Sequence, residues 1–511
     1  VLAKTFTATV VGLQAIKIEV EVDGNRGVPT LLIIGLPTKT VDEAKQRITA
    51  ALINCGIRIR SKRTIVNLAP ADIKKTGSGF ELAIAVALLK MYGEVKQDTD
   101  DTLFFGELSL DGSLKPIKGA LPLVLAASQL GFKQVVLPES NRAEVSTVTS
   151  IKIILLSHLQ QYLDASKQGF SLPGMTPKKF LQPSRMSSWL DGFDQIIGQT
   201  TAKRAIEIAV TGQHNLLLVG PPGAGKSLLA KAAHQLMPPL TQAESLEVSA
   251  IYSVCGLTMD GLVTERPFRA PHHSTSKLGL IGGGSQLKPG EIALAHRGIL
   301  FLDELPEFNR STIESLRQPL EAGLITFARN NGSVTYPTKF TLIAAANPCP
   351  CGFHNSPIHT CRCSLHTLSQ YQQKISGPIL DRIDLHMFVN AVKIPELTSS
   401  LGNAAGSELP PNSADAVIKR IVAAQQQRLE RSISQLTQKN MSSNNPESVN
   451  AMLLTAEAKK LLHQACNSLQ LSARAFFKVI KVSRTIADLS LSERVEPEHV
   501  AEALQYRRTH F

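Results

Sequence analysis

The sequence has no apolar run approaching the ~20 residues that a membrane-spanning helix requires. Its first residues, Val1-Leu2-Ala3-Lys4-Thr5-Phe6-Thr7, lack the charged-then-apolar order of a secretory leader. A cytoplasmic location with no membrane partner is therefore expected. Acid is in short supply: 42 Asp and Glu face 54 Lys and Arg, a net charge of +12. That excess suits a polyanionic partner and, alone, argues only weakly for nucleic acid. Cysteine is sparse, with seven residues in 511. Cys55, Cys255 and Cys466 are scattered and expected to be buried. The other four fall between 349 and 363, a clustering that in a cytoplasmic protein favours metal over disulfide. No internal repeat is apparent. A 43% hydrophobic, 19% charged composition is that of a globular protein, and the length exceeds one core, so two to four domains are expected.

What is present is organised around His214-Asn215-Leu216-Leu217-Leu218-Val219-Gly220-Pro221-Pro222-Gly223-Ala224-Gly225-Lys226-Ser227. Leu216 to Val219 reads as a buried strand and Leu228 to Leu236 as a helix. The G-x-x-x-x-G-K-S between them lets backbone N–H groups close around phosphates at a helix N-terminus. Lys226 is placed to reach the β- and γ-phosphates, and Ser227 to hold Mg²⁺. A chance glycine turn would match the letters but not their setting between strand and helix. The chain is read as a nucleoside triphosphatase using ATP.

Residues 1–166 read as a separate α/β unit. Strands are predicted at Phe6 to Val11, Ala15 to Val22, Thr64 to Leu68, Gln134 to Leu137 and Ile151 to Leu156. Helices are predicted from the Thr40 capping box to Gly56, over Phe80 to Leu89, and over Ala120 to Leu130. Asp111-Gly112 signals a hairpin. This unit resembles the Lon protease domain through Ile65-Val66-Asn67-Leu68-Ala69-Pro70-Ala71-Asp72, Gly106-Glu107-Leu108-Ser109-Leu110-Asp111-Gly112, Pro116-Ile117 and Val136-Leu137-Pro138-Glu139-Ser140-Asn141. The likeness implies an α/β fold of the S5 domain 2-like kind. Lon chemistry needs a Ser–Lys dyad, since a serine hydroxyl requires a base. Here Phe80 falls at the serine position, with Ser78 close by, and Leu123 at the lysine position. A protease-like fold without protease chemistry is expected.

Residues 167–191, with Pro173, Pro177 and Pro183, read as a linker. An ATPase core over 192–393 and a helical part over 394–511 follow. In the latter, helices are predicted at Ala414 to Leu429, Ala456 to Leu469, Ala473 to Leu489 and Pro497 to Tyr506, with Ser432 to Ser448 polar and mobile. Within the core, Gly298-Ile299-Leu300-Phe301-Leu302-Asp303-Glu304 is a second apolar strand ending in two carboxylates. Asp303 would complete the Mg²⁺ shell, and Glu304 would act as general base toward water. Leu342 to Ala346 is a third strand, ending at Asn347.

Ile196-Ile197-Gly198-Gln199, Asn347 and Leu380-Asp381-Arg382-Ile383-Asp384 resemble motifs of AAA+ ATPases. The resemblance implies an adenine-side turn, a water-orienting asparagine, and Arg382 as a finger for the neighbouring subunit. Arg474 is similarly placed to the lid arginine of sensor 2. A plain salt-bridge role is the alternative for both arginines. The insertion from Arg266 through His272-His273 to Glu291, the hairpin Leu324 to Arg329 and Ser333 to Tyr336 around Asn331-Gly332, and Val495 to Leu504 resemble the magnesium-chelatase branch of these ATPases. The insertions then lie after helix 2 and before sensor 1. His272 and His273 are read as packing or DNA-facing residues. Joined to the Lon-like unit, the whole is similar to the YifB/ComM family. That family implies a homo-hexameric DNA motor driving branch migration during recombination of incoming DNA in natural transformation. Single-stranded, double-stranded and branched DNA, and recombination proteins, would be its partners.

Cys349, Cys351, Cys361 and Cys363 give C-x-C-x₉-C-x-C, a natural tetrahedral Zn²⁺ set with a structural role. His354, His359 or His366 is a possible substitute for one thiolate. Lys277, Lys288 and Arg329 on the two insertions are the candidate DNA contacts, with Lys178 and Lys179 of the linker next. A magnesium-chelatase motor for metal insertion into porphyrin is the alternative function. It is disfavoured here because that motor's family pattern lacks the Lon-like unit and the cysteine cluster. An ATP-dependent protease is disfavoured by Leu123.

Overall fold

The computed structural model describes residues 2–28, 30–35, 38–58, 62–70, 75, 79–181, 191–258, 261–284, 287–329, 332–354, 359–390, 413–436 and 452–507. Ser78 and most of the linker from 182 lie outside them. The fold is α/β, with a helical C-terminal region.

The N-terminal unit is a seven-stranded mixed sheet. From one edge its strands are Thr30–Ile34, Lys62–Ala69, Gln14–Arg26, Leu2–Val11, Thr102–Phe104, Gln134–Pro138 and Lys152–Leu156. Leu2–Val11 and Gln14–Arg26 pair antiparallel from Leu2 opposite Asp23 to Val11 opposite Gln14, a long two-strand arm. Helix Glu81–Tyr92 is apolar nearly all round and buried along its length; Gly93, in the left-handed region at φ 79°, ends it. Glu81 at its first turn is neutralised by Arg47 at 2.6 Å. Phe80 and Leu123, the residues expected in place of the Lon dyad, are packed into the apolar cores on either side. At Asp111-Gly112 the hairpin forms with a longer connection than a two-residue turn. Leu108 faces Leu114, and both the Ser113 amide and its hydroxyl donate to Asp111 Oδ1.

The second sheet is five-stranded and parallel, in the order Phe268–Arg269, Ile299–Leu302, Thr341–Ala346, Leu216–Val219, Leu385–Phe388. The three central strands are apolar on both faces and fully buried, as helices on each side of a parallel sheet demand. Asn215 stitches the strand entries together. Its amide donates to Asp384 Oδ2 (2.8 Å), its Nδ2 to the Arg382 carbonyl (3.1 Å), and its Oδ1 accepts from Leu342 N (2.9 Å).

The hairpin before Asn347 pairs Leu324–Arg329 with Gly332–Pro337, Arg329 opposite Gly332. Gly332 is therefore in the strand, not the turn. The connection falls on residues 330–331, outside the described residues. Helix Ala414–Leu436 continues well beyond the expected end at Leu429, so the polar stretch from Ser432 begins as helix; residues 437–451 are outside the described set. Helices Ala456–Ser468, Ala473–Leu489 and Pro497–Gln505 complete the C-terminal region. They share one apolar core with the phosphate-loop strand. No helix among the described residues is long and apolar enough to cross a membrane.

Candidate ATP site and metal centre

Three neighbouring strands deliver the site at their C-terminal ends, where an open parallel sheet presents its crevice. Gly220 leaves the first strand so close to the Val389 carbonyl that no Cβ fits. Gly223 and Gly225 hold φ of 76° and 83° with open space above them, which an L side chain rarely adopts. Helix Lys226–Leu236 starts directly after Gly225. The Lys226 ammonium donates to the Gly220 carbonyl (2.7 Å), the Pro221 carbonyl (2.9 Å) and Asn347 Oδ1 (3.0 Å). Burial lowers its pKa, and Asp303 and Glu304 oppose that shift.

Ser227 Oγ donates to Asp303 Oδ2 at 2.8 Å, and Asp303 Oδ1 accepts from the Glu304 amide at 2.9 Å. A hydroxyl and a carboxylate meeting at a helix N-terminus are the hard oxygen donors that Mg²⁺ takes. Glu304 sits at φ 51°, left-handed for a non-glycine residue, and its carboxylate is half exposed. His273 Nδ1 lies 3.4 Å from Glu304 Oε2 and stacks on His272 at 4.0 Å. His272 is exposed and His273 half-buried against the Glu304 carboxylate. Gln199, also left-handed, donates to the Asn390 carbonyl at 2.6 Å and so closes the Ile196–Gln199 turn onto the sheet's edge.

Arg382 and Arg474 converge. Nη2 of Arg382 lies 2.7 Å, and Nη2 of Arg474 2.6 Å, from the same oxygen, Glu321 Oε1. Both form the salt bridges that were the alternative reading, on a shared partner that no sequence signal marked. Asp384, two residues after Arg382, pairs with Lys478 of helix Ala473–Leu489 at 2.8 Å.

The four cysteines of the 349–363 segment bring their sulfurs within 4.8 Å of one another, with no histidine in the set. The Cys349–Cys351, Cys351–Cys361 and Cys349–Cys361 separations are 3.2, 3.6 and 3.8 Å. A tetrahedral zinc with Zn–S of about 2.3 Å needs sulfur–sulfur edges of about 3.8 Å, so the set fits. The Arg362 and Phe353 amides pull the Cys351 thiol down, while burial pushes the Cys349 thiol up. This element leans on the phosphate loop: a Cβ at Gly352 would lie 2.7 Å from Pro222 Cγ.

Lys277, opening helix Lys277–Ile281, and Lys288, paired with Gly283, are exposed. Tyr336 Oη of the hairpin donates to the Leu287 carbonyl at 2.9 Å, so the two insertions form one packed body. Arg329 ends the hairpin's first strand; its side chain lies outside the described residues.

Strand order and site together define an AAA+ phosphate-loop protein. Family models described as "Magnesium chelatase, subunit ChlI", "Subunit ChlI of Mg-chelatase" and "Magnesium chelatase, subunit ChlI C-terminal" match residues 192–397, 20–141 and 411–507. YifB of Salmonella typhimurium, itself described as uncharacterized, is 37% identical over 508 residues, 99% of this chain and 97% of its own. Competence protein ComM of Haemophilus influenzae is 37% identical over 512 residues, again 99% and 97%. A Lon protease of Trichlorobacter lovleyi is 28% identical over 132 residues, 24% of this chain and 16% of its own. The chain belongs to the YifB/ComM family of magnesium-chelatase-type AAA+ proteins.

Proposed function

We propose that this chain is an ATP-driven DNA translocase, assembled as a homo-hexameric ring, that promotes branch migration when incoming DNA is recombined. One observation carries the motor reading: Lys226, Ser227, Asp303, Glu304 and Asn347 meet at one crevice, with Ser227 and Asp303 already 2.8 Å apart. The DNA reading is supported by the net charge of +12, the joined basic insertions, and full-length likeness to a competence protein.

In this reading the loop amides from Gly220 to Ser227 and the Lys226 ammonium bind the triphosphate, while Ser227 and Asp303 hold Mg²⁺. Bound there, Mg²⁺ supplies positive charge to the phosphate oxygens. Glu304 accepts the proton of the attacking water, which Asn347 orients. Arg382 presents its guanidinium to the nucleotide of the adjoining subunit, and Arg474 adds the lid's charge. Cys349, Cys351, Cys361 and Cys363 hold a structural zinc beside the loop.

The test is ATP turnover with and without single-stranded, duplex and four-way-junction DNA, together with junction migration. Glu304→Gln should keep ATP binding and lose ~10²–10⁴-fold in turnover, the usual range for a removed general base. Lys226→Ala should weaken ATP binding itself. Turnover indifferent to every DNA would shift the reading to a chelatase-type motor. Near-parental hydrolysis by Glu304→Gln would remove its assignment as base.

A further inference from the structure

Two arginines with a proposed role at the nucleotide are tied to one carboxylate of their own chain. Arg382 is folded inward: its side chain is 10% exposed, Nη1 donates to the Pro378 carbonyl at 2.6 Å, and Nη2 rests on Glu321. Its Nε is buried with no acceptor among the described residues. That unpaired N–H disfavours the inward arrangement, which Glu321 and the Pro378 carbonyl hold against it. Arg474, far more exposed, shares the same oxygen. A guanidinium neutralised by a carboxylate gives little of its charge to a phosphoryl group.

Glu321 is also connected to the proposed DNA grip. It occupies the last turn of helix Arg317–Ala322. Gly323, at φ 63°, ends that helix, and Leu324 begins the hairpin at once. The Thr338 amide donates to the Gly323 carbonyl at 2.8 Å, so both hairpin strands are fastened beside Glu321. Six paired positions join that root to Arg329.

We propose that Glu321 is a positioning residue that withholds Arg382 and Arg474 together, and that load on the hairpin from bound DNA withdraws it. Both guanidiniums then turn to nucleotide phosphate at the same moment, which links DNA contact to turnover. This rests on the DNA-motor reading and on the role given there to Arg382.

The test uses the full-length protein and Glu321→Gln, a half-exposed position where the fold should survive, checked by thermal melting. Two partly exposed ion pairs are worth about 1 kcal/mol together, so DNA-free turnover should rise about fivefold. The stimulation by a four-way junction should shrink by the same factor, with KM for ATP unchanged because Lys226 is untouched. Glu321→Asp should restore part of the parental ratio. In an Arg382→Ala background, Glu321→Gln should add little. If Glu321→Gln lowers DNA-free and DNA-stimulated rates alike, or acts equally without Arg382, the carboxylate only orients or only stabilises, and the proposal is overturned alone. If the parent ignores DNA and Arg382→Ala keeps its kcat, the motor reading has failed and takes the proposal with it.

Discussion

Removing Lys478 should undock the lid from the ATPase sheet. Lys478 Nζ lies 2.8 Å from Asp384 Oδ1, and both side chains are largely buried. Burial opposes the Asp384 charge, but Lys478, His214 and the Asn215 amide outweigh it and hold the carboxyl below its usual range. Lys478→Ala leaves that carboxylate with the Asn215 amide and no cation in direct contact. Breaking one partner of a buried pair costs about 3–5 kcal/mol, against 0–1 for an exposed pair. The lid transition in a thermal melt should therefore fall on the order of 10 °C. Since the loss lies in the orphaned charge, adding Asp384→Asn to Lys478→Met should recover most of it. Arg474 stands four residues before Lys478 on the same helix, so undocking also carries it off Glu321. A fall within about 0.5 kcal/mol of the parent, the range of an unremarkable surface change, would refute the reasoning.

Replacing Cys361 and Cys363 with serine should release one equivalent of zinc and weaken nucleotide binding, because Gly352 of that element rests on Pro222. Elemental analysis decides it: a folded, metal-free parent sinks the idea. Lys277→Ala with Lys288→Ala and Arg329→Ala should lower DNA affinity and reduce the log–log salt slope by roughly one unit per lost phosphate contact. Basal hydrolysis should persist; unchanged binding would move the grip to Lys178 and Lys179. Stability should fall with acid in a definite window. Burial lowers the pKa of His214 to about 4, below the ~6.5 of an unfolded chain. Above that value the ring is neutral in both states. Below it the unfolded chain takes up the proton first, so stability is lost from about pH 6.5 to about pH 4, up to about 3 kcal/mol. Urea midpoints should track this, and His214→Gln should flatten the slope; an equally steep profile in that variant would reject the assignment.

Residues at the ends of short, wholly apolar runs were legible in the sequence. Lys226, Asp303 and Asn347 each follow such a run, and parallel strands bring their C-terminal ends to one edge. Cysteine spacing disclosed the four-sulfur set, because few other patterns bring four thiols together. Glu321 and Lys478 were not legible. Each is one charged residue in an amphipathic helix, where a solvated surface group is the ordinary case, and their partners lie 61 and 94 positions away. That Gly352 would touch Pro222 was equally hidden, since contact between two loops leaves no periodicity. The hairpin turn was displaced for a simpler reason. Asn-Gly is the stronger turn dipeptide, but pairing of Arg329 with Gly332 keeps Phe327 opposite Val334, and burial of that pair sets the register.

The N-terminal unit is joined to the insertions of the core rather than hung from a linker alone. Gly119 N donates to the Ser253 carbonyl at 3.0 Å, and Ser253 Oγ donates to the buried Glu144 carboxylate. That carboxylate also accepts from the Leu121 amide and Asn141 Nδ2. Val334 of the hairpin fills the space beside Gly12, where a Cβ would overlap it. Domains of one chain usually move apart easily because their shared surfaces are small and polar. Here separation would strip Glu144 of its Ser253 donor and expose apolar contacts of Val11 and Leu13 with the hairpin core. The unit therefore travels with helix Gln242–Cys255 and the hairpin base. A force on the hairpin tip then finds its base braced on one side by the N-terminal sheet, and the side left to yield is the one that runs through Gly323 to Glu321.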